Sequence, residues 1–565
     1  MKRWRLMEAD DFKVQQLQKA LGINSILCKI LVQQKITNFE EAKRFFRPSL
    51  EELHDPFLMK DMEIAVQRIQ KAITTKEKIL IYGDYDVDGT TSVGCMYRFI
   101  ASIYNSSFVD FYIPNRYREG YGISSAGIDF AINNNFTLVI ALDCGIKSIE
   151  LIHKAKQHQI EFIICDHHIP GEILPEAVAI LNPKQVDCNY PYKELCGCGI
   201  GFKLITALSH RLGLPASAYL EFLDLTATAI AADIVPMTGE NRTIAWFGLK
   251  KANENPCKAL TTLLNISKIK EHILIHHLVF MIAPRVNAAG RMDDARKVVQ
   301  LFIENDEAAA KLLAEELQSD NADRKITDQA ITEEALSLLL QLESKGRKKS
   351  TVVYQPHWHK GVVGIVASRL IEQYHRPTIV LTKSGDTVTG SGRSILGFNL
   401  HDGLEQCKDL LLGFGGHYFA AGMTLLPENV ELLAERFEEI VSNTVEEKYF
   451  TPVIDINAEI SLSDCTTSFY NIIKQMEPFG PENQHPVFCV RAVKNVGSKI
   501  VKDVHLRFVV QQNQSTFTGI GFNLANKFSI VDSGNPFDMV FALEENHWNN
   551  NTSLQLKVID IKPSI

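Results

Sequence analysis

The chain has 565 residues, of which 45% are hydrophobic and 22% charged, a composition that excludes a disordered protein and predicts three or four domains. No run approaches the roughly 18 apolar residues of a membrane span, and the chain does not start like a signal peptide. The 11 cysteines have no regular spacing, so we expect a cytoplasmic protein without membrane association. The net charge of −8 gives no sign of a nucleic-acid partner.

The first half of the chain is predicted to be helical at its start and then to alternate strands with helices. Residues 1–75 carry apolar side chains at helical spacing, and residues 200–236 do so again. Between them, short apolar runs separated by helical segments predict βαβ units and a mostly parallel sheet. The predicted strands are residues 78–82, 108–113, 138–142, 162–165 and 178–181.

The second half predicts long helices, a second α/β unit and a small barrel. Residues 305–343 contain neither Gly nor Pro and predict one or two long helices, which end at a polar break over 345–349. Strand-like and helical segments follow, and beyond residue 450 short β-like runs predict a barrel. The expected domains are a helical segment (1–75), a parallel-sheet domain (76–300), a connecting helix (301–345), a second α/β domain (346–449) and an oligonucleotide-binding-like barrel (450–565).

Acidic and histidine side chains fall where predicted elements end. Because ligands bind at the carboxyl ends of parallel strands, most of these side chains should converge. A single Asp at a strand end usually caps the next helix, but several such clusters at successive ends are hard to explain by capping. The clusters are Asp84, Asp86 and Asp88 after the first strand, Asp143 after the third, Asp166-His167-His168 after the fourth, and Asp233 after a helix.

Converging carboxylates predict bound cations, because they would otherwise repel each other. Oxygen ligands favour Mg²⁺ or Mn²⁺, and histidine shifts the preference toward Mn²⁺. Cys196-Gly197-Cys198 has the wrong spacing for a zinc site, and the acidic run over 83–89 lacks the later Glu of a calcium loop. Paired divalent ions are typical of enzymes that hydrolyse phosphate esters.

The acidic clusters resemble, in order and spacing, the motifs of the DHH phosphoesterase superfamily. Further motifs resemble the bacterial RecJ exonucleases within it, over nearly the whole chain. This resemblance implies a 5′→3′ exonuclease that acts on single-stranded DNA in recombination and repair, with two divalent ions, Mn²⁺ or Mg²⁺. The further motifs are Gly290-Arg291-Met292, the runs from Val363 to Arg369, Gly390 to Ser394 and Gly413 to His417, and Glu477-Pro478-Phe479-Gly480.

The resemblance also assigns roles around the metals. His168, Asp143 and Asp166 would be catalytic, with Asp143 bridging the ions. Tyr82 stands where many superfamily members carry a histidine, so the second ion would be held more weakly, or by Asp84 instead. The implied metal ligands are therefore Asp86, Asp88, Asp143, His167 and Asp233, with Asp84 as an additional candidate.

The second α/β unit resembles the DHH-associated domain and supplies further substrate-binding candidates. Arginines suit phosphate recognition, although each could equally form a surface ion pair. Glycines permit close approach of a phosphate to the backbone, although Gly392 and Gly416 could equally be turn residues. The candidates are Arg116, Arg291, Ser391, Arg393, Gly415, Gly416 and His417.

The barrel is the expected site for single strands. Basic residues between 491 and 507 alternate with Phe488 and Phe508, which would stack on bases unless they are ordinary core residues. From the resemblance we expect single-stranded DNA, a single-strand-binding protein and a RecQ-type helicase as partners, and a monomer. The alternatives are a superfamily phosphodiesterase acting on short RNA or cyclic dinucleotides, and a non-catalytic replication scaffold; the barrel and the intact acids argue against them.

Overall fold

The structure, a computed structural model, describes residues 2–343, 346, 348–548 and 551–564. This described chain divides into two compact units. The first consists of Asn287–Asp294 and Glu315–Val453, together with the first residues of the chain. The second consists of Trp4–Val286, Ala295–Ala314 and the chain from Ile454 onward. Among the described helices, none has both the length and the apolar character needed to cross a membrane.

The second unit contains the predicted parallel sheet. Its strands are short apolar runs, most of them buried on both faces, as is typical of strands covered by helices. The first strand of this sheet along the chain, Ile79–Gly83, has a parallel neighbour on each side, so the strand order reverses beside it and a ligand crevice opens at its carboxyl end. The spatial order is Val109–Tyr112, Ile79–Gly83, Leu138–Leu142, Glu161–Cys165 and Ala179–Leu181.

Helices cover this sheet, and close packing brings the start of helix Val87–Ile103 to the crevice. An added Cβ on Gly89 would lie 2.5 Å from the carbonyl oxygen of Asp84, so only glycine lets this helix start directly behind the first strand. The helices of this part are Met62–Thr75, Val87–Ile103, Ser125–Asn133, Ile149–Gln157, Gly197–Arg211, Ser217–Leu220, Leu223–Asp233, Gly239–Glu254, Lys258–Ile266, Ile275–His277, Ala283–Met292 and Arg296–Ile303.

The C-terminal strands form the predicted barrel. They pair in a closed cycle, because the first strand, Phe488–Asn495, contacts both its neighbour Phe537–Trp548 and, through Lys494 and Asn495, the strand His505–Gln512. The cycle runs Phe488–Asn495, Phe537–Trp548, Asn551–Pro563, Ser515–Gly521 and His505–Gln512, with Lys499–Val501 and Ala458–Glu459 added at its edges. The expectation of a barrel is confirmed.

The N-terminal helices share one hydrophobic core with this barrel. Leu17, Leu27 and Ile30 are fully buried in the same cluster as Ile473 and Phe541. These side chains are far apart in the sequence, so the helices between Asp11 and Phe46 are packed as part of the barrel's core. The elements involved are Asp11–Leu21, Ser25–Gln33 and Phe39–Phe46, with Thr467–Gln475 before the barrel.

The first unit contains the second α/β domain. Its sheet is mixed, with helix Val363–Tyr374 packed against two of its strands and a core on the opposite face that includes Phe437 of helix Val430–Thr444. The strand order is Leu411–Gly416, Ala420–Leu425, Thr387–Arg393, Thr378–Ser384 and Thr351–Tyr354, with helix Leu400–Glu405 and the later part of helix Glu307–Glu343. The expected boundary at 345/346 adjoins residues 344, 345 and 347, which lie outside the described residues.

Candidate metal centre and substrate site

Asp86 and Asp88 are delivered to the crevice by the start of helix Val87–Ile103. Asp86 caps this helix, because its Oδ1 accepts the backbone N–H of Gly89 at 3.0 Å. Asp88 lies in the first turn and is 1% exposed. Helix capping therefore explains the aspartate at position 86. It does not explain the buried aspartate at position 88.

Asp88 receives hydrogen bonds from the N-terminus of a second helix, Gly197–Arg211. The backbone N–H groups of Gly197 and Cys198 donate to its two carboxylate oxygens at 2.6 and 2.8 Å. A helix N-terminus carries partial positive charge, which favours an ionised carboxylate. These bonds hold Asp88 in one orientation at the crevice.

Asp143 follows the third strand in a left-handed conformation, with φ of 61°. This backbone is unusual for a residue other than glycine and is typical of functional sites. Its own N–H donates to the carbonyl of Cys165 at 2.8 Å, which ties it to the end of the neighbouring strand. The carboxylate is thereby turned into the crevice beside Asp88.

His167 joins these carboxylates into a cluster of possible metal ligands. Its Nε2 lies 3.2 Å from Oδ1 of Asp143 and 3.6 Å from Oδ2 of Asp233. Within the described part of the chain, ligand atoms lie within 4.8 Å of one another in two groups that share His167: one with Asp143 and His168, the other with Asp88 and Asp233. Neither group includes Asp84 or Asp86.

The electrostatics of the crevice separate its carboxylates into two kinds. Burial, reinforced by the neighbouring aspartates, raises the pKa of Asp84, Asp143 and Asp233 well above the usual range and that of Asp88 to about 7. These acids lie together in a low dielectric without enough positive charge to balance them. A bound cation would remove this cost.

Asp166 is different because it already has a cationic partner. Its Oδ1 contacts Nδ1 of His168 at 2.7 Å, and its Oδ2 accepts the N–H of Ile146 at 3.0 Å. Burial would raise its pKa, but His168 and the backbone amides hold that pKa below the usual range. Burial opposes protonation of His168, but Asp166 outweighs it and raises the pKa of the imidazole. Asp166 therefore orients His168, and its predicted catalytic role would act through that imidazole.

A divalent ion fits the remaining donors. Oδ1 of Asp84, Oδ1 of Asp143 and Oδ2 of Asp233 are buried and accept no hydrogen bond from any described residue. Buried carboxylate oxygens normally have a partner, and a bound cation would supply one to all three. Oxygen donors with one or two imidazoles suit Mn²⁺ and Mg²⁺.

Tyr82 takes no part in this site. It is 1% exposed and belongs to the core of the sheet. Its hydroxyl donates to the carbonyl of Gly122 at 3.1 Å and accepts the N–H of Ser124 at 3.1 Å, and burial raises its pKa. The phenol is therefore held by the loop over 122–124. Asp84 remains the candidate for additional coordination.

Arg116 lies at the edge of the metal centre. Its guanidinium stacks over the ring of Tyr85 at 4.9 Å, and its charge partly offsets the rise in the pKa of Asp84 that burial causes. This position beside the acids agrees with its predicted role toward a phosphate.

In the first unit, Ser391 and Arg393 lie at the start of helix Val363–Tyr374. An added Cβ on Gly364 would be 3.0 Å from both Oγ of Ser391 and Nη2 of Arg393. Nη1 of Arg393 donates to Oγ of Ser391 at 2.8 Å. A hydroxyl, a guanidinium and a helix N-terminus together are suited to an anion.

The neighbouring glycines differ in what they do. Gly416 has φ of 151° and an added Cβ there would lie 2.3 Å from the carbonyl oxygen of Ala420, so it is a turn residue. An added Cβ on Gly392 would lie 2.8 Å from Leu400, so packing requires that glycine. At Gly415 the added Cβ meets no described atom within 4 Å, so there is free space on that side of the strand, where a ligand could approach. The turn continues with His417, whose N–H donates to the carbonyl of Ala420 at 2.8 Å.

Arg291 contacts the backbone of its own unit. Its Nη1 donates to the carbonyl of Gly361 at 3.3 Å, just before helix Val363–Tyr374. This contact places it next to the start of the helix that approaches Ser391.

The structure of the barrel decides between the two explanations offered for its phenylalanines. Phe488 and Phe508 are fully buried in the core, so they cannot stack on bases. Arg491 pairs with Glu459 at 3.0 Å and Asp538 at 2.7 Å across the barrel surface. Alternation along a strand places core and surface residues at adjacent positions, which is why the pattern resembled a binding surface.

Comparisons with known proteins agree with this architecture. Residues 78–230 match the DHH family, N-terminal domain, residues 348–443 match the DHHA1 domain, and residues 456–560 match the RecJ OB domain. The single-stranded-DNA-specific exonuclease RecJ of Bacillus subtilis is 37% identical over 99% of this chain and 70% of its own. The chain belongs to the RecJ family. The family resemblance expected from the motifs is confirmed.

Solved RecJ structures share the fold. RecJ from Thermus thermophilus in complex with Mn²⁺ has a TM-score of 0.86 at 24% identity, covering 100% of this chain and 80% of that one. A structure of exonuclease RecJ bound to manganese is 30% identical with a TM-score of 0.60, covering 70% of this chain and 96% of that one. The expected α/β fold with a C-terminal barrel is confirmed for this RecJ family member.

Two residues of this RecJ-family site were not predicted from the sequence. The hydroxyl of Tyr121 donates to the carbonyl of Asp143 at 3.0 Å and lies 3.2 Å from Nε2 of His168. Gly197 brings a helix N-terminus onto the acids, because its added Cβ would lie 2.5 Å from Cβ of Asp143. Tyr121 follows the strand Val109–Tyr112, so its place beyond a strand end was the available signal.

Proposed function

We propose that the protein is a divalent-metal-dependent exonuclease that hydrolyses single-stranded DNA from its 5′ end. The observation that carries this proposal is the cluster of buried carboxylates around His167, whose raised pKa values and unpartnered oxygens call for a cation, in a chain of the RecJ family. The RecJ proteins it resembles are named for single-stranded-DNA-specific exonuclease activity.

Asp88, Asp143, His167 and Asp233 would hold the metal, and we propose two ions, with Asp84 and Asp86 completing the set. Mn²⁺ or Mg²⁺ bound there would activate the attacking water and neutralise charge that builds on the phosphorus centre. The backbone N–H groups of Gly197 and Cys198 partly offset the rise in the pKa of Asp88 that burial causes, and they hold its carboxylate in one orientation.

The reaction is hydrolysis of the linkage between the first and second nucleotides. The oxygen of water forms a bond to phosphorus, the bond from phosphorus to the 3′ oxygen of the first nucleotide breaks, and that oxygen takes a proton. Asp166 holds Nδ1 of His168, so that Nε2, next to Tyr121, points toward the reacting phosphate or moves a proton there. The shortened strand again carries a 5′ phosphate.

The strand's 5′ phosphate would bind to Ser391 and Arg393 at the start of helix Val363–Tyr374. Arg116 and Arg291 are further proposed phosphate contacts, and His417 and the open backbone of Gly415 are proposed contacts to the strand. Since each cycle regenerates a 5′ phosphate, one recognition site serves every step. This chemistry favours degradation in one direction.

Partners and setting follow from the family assignment. We extend the proposal to a cytoplasmic monomer that acts with a single-strand-binding protein and a RecQ-type helicase in recombination and repair. The barrel supplies strand binding away from the metals, through basic side chains such as Lys499 and Arg507.

The decisive experiment digests one oligonucleotide, labelled at either end, as single-stranded DNA, duplex DNA or RNA, with Mn²⁺ or Mg²⁺. We expect a 5′-labelled single DNA strand to release labelled mononucleotide at once, while a 3′-labelled strand shortens gradually. Asp143→Ala is the matched inactive control. Release of the 3′ label first would refute the polarity, and preferential digestion of RNA would favour the short-RNA phosphodiesterase. Binding without digestion in either metal would favour the scaffold.

A further inference from the structure

A pair of exposed aromatic rings lies beside the proposed phosphate site in the first unit. Tyr418 and Phe419 close the hairpin between strands Leu411–Gly416 and Ala420–Leu425, and they are 37% and 52% exposed. Their ring centroids are 4.6 Å apart. Two exposed aromatic rings in contact form a contiguous apolar patch, and such a patch on a soluble protein marks a surface suited to binding.

The backbone that carries these rings is held at several points. The carbonyl of Phe419 accepts the N–H of Ser394 at 2.9 Å, and the carbonyl of Tyr418 accepts the N–H of Leu400 at 2.9 Å. The hydroxyl of Tyr418 also accepts the N–H of Gly397 at 3.0 Å. The rings are therefore presented by an anchored turn.

Strand register places the turn next to the phosphate-binding residues. Ala420 pairs directly with Arg393, and Gly422 pairs with Ser391. Phe419 precedes Ala420, and its carbonyl accepts the hydrogen bond from Ser394, the residue after Arg393. Residues paired across antiparallel strands are about 5 Å apart at Cα, so the backbone of Phe419, at the end of its strand, lies within the length of one nucleotide from Arg393.

We propose that Phe419, supported by Tyr418, is a stacking subsite for the base of the 5′-terminal nucleotide. This inference rests on the proposed function, because it takes the 5′ phosphate to be bound at Ser391 and Arg393. Every base has a π-face, so the subsite accepts any sequence. A terminal base inside a duplex is already stacked and paired, so the subsite favours unpaired ends.

The test compares two 5′-phosphorylated oligonucleotides that differ only in whether the first nucleotide carries adenine or is abasic. With the wild-type protein we expect KM for release of that nucleotide to be about tenfold lower for the base-bearing strand. Phe419→Ala should raise KM about tenfold for the base-bearing strand and leave the abasic strand unchanged. Tyr418→Phe keeps the ring and should keep the discrimination.

Phe12→Ala is the matched control, since Phe12 is 68% exposed on an N-terminal helix and should leave both KM values unchanged. Equal loss on both strands in Phe419→Ala, or no change on either, would overturn the stacking subsite. A wild-type protein that degrades neither strand would instead overturn the proposed function. Thermal melting of Phe419→Ala should match the wild type.

Discussion

Replacing Gly197 by alanine tests how closely the catalytic carboxylates depend on a helix start. The added Cβ would lie 2.5 Å from Cβ and 2.8 Å from Oδ1 of Asp143, whereas ordinary contacts begin near 3.4 Å. The helix and Asp143 must therefore separate by about 0.9 Å, and the bonds to Asp88 must shift with them. Overpacking of this kind costs about 1–3 kcal/mol, and a displacement near 1 Å at reacting groups costs about 100-fold in rate.

The assay is kcat/KM on 5′-phosphorylated single strands in saturating Mn²⁺, with urea denaturation of the same samples. Gly199→Ala is the matched control, because its added Cβ first meets the Leu195 side chain at 3.3 Å on the same helix. We expect that control to keep activity and to gain slightly in stability, since alanine is the better helix former. A fully active Gly197→Ala protein would refute the claim that this helix start positions Asp143.

Further expectations concern charge, hydrogen bonding and phosphate recognition. Asp143→Asn should lose at least 100-fold in activity yet melt higher than wild type in EDTA, because burial makes the native carboxylate costly; a lower melting temperature would contradict this. The pKa of Asp88 is raised to about 7, so metal-free protein should lose urea stability as pH rises from about 4 to 7, and Asp88→Asn should flatten that decline; an unchanged slope would refute it. Tyr121→Phe should lower kcat about tenfold with little change in melting temperature, and an unchanged kcat would exclude a positioning role. Arg393→Lys should raise KM about tenfold for 5′-phosphorylated strands but not for 5′-hydroxyl strands; an equal rise for both would argue against phosphate recognition.

The sequence was sufficient to predict the parallel sheet and the convergence of its acids. Apolar runs mark buried strands, and parallel strands end at one edge, so Asp88, Asp143 and His167 could be expected to meet. Their separate roles could not be predicted. Whether a carboxylate faces an ion or a histidine depends on side-chain direction, as Asp166 demonstrates.

The remaining differences between the sequence-based expectations and the structure depend on how side chains pack. The hairpin strands Leu411–Gly416 and Ala420–Leu425 are hard to predict from the sequence, because their glycines weaken the alternation that marks a strand. Phe488 and Phe508 were read as possible surface aromatics because a barrel strand alternates faces at every residue. The packing of the first helices on the barrel is a contact between distant parts of the chain, which no local pattern reveals.

That shared core has a consequence for biosynthesis. Ala42 must wait for Ala458 and the residues that follow before the cluster can close, and at about 5–20 residues per second the interval is roughly 20 to 80 s. Helices of 8–11 residues are marginal on their own, so the leading segment stays unfolded on the ribosome, with Leu17, Leu27 and Ile30 exposed. These helices therefore complete their packing only after the barrel strands have been synthesised, whereas the parallel-sheet domain needs no residue from that late part of the chain for its strands to pair.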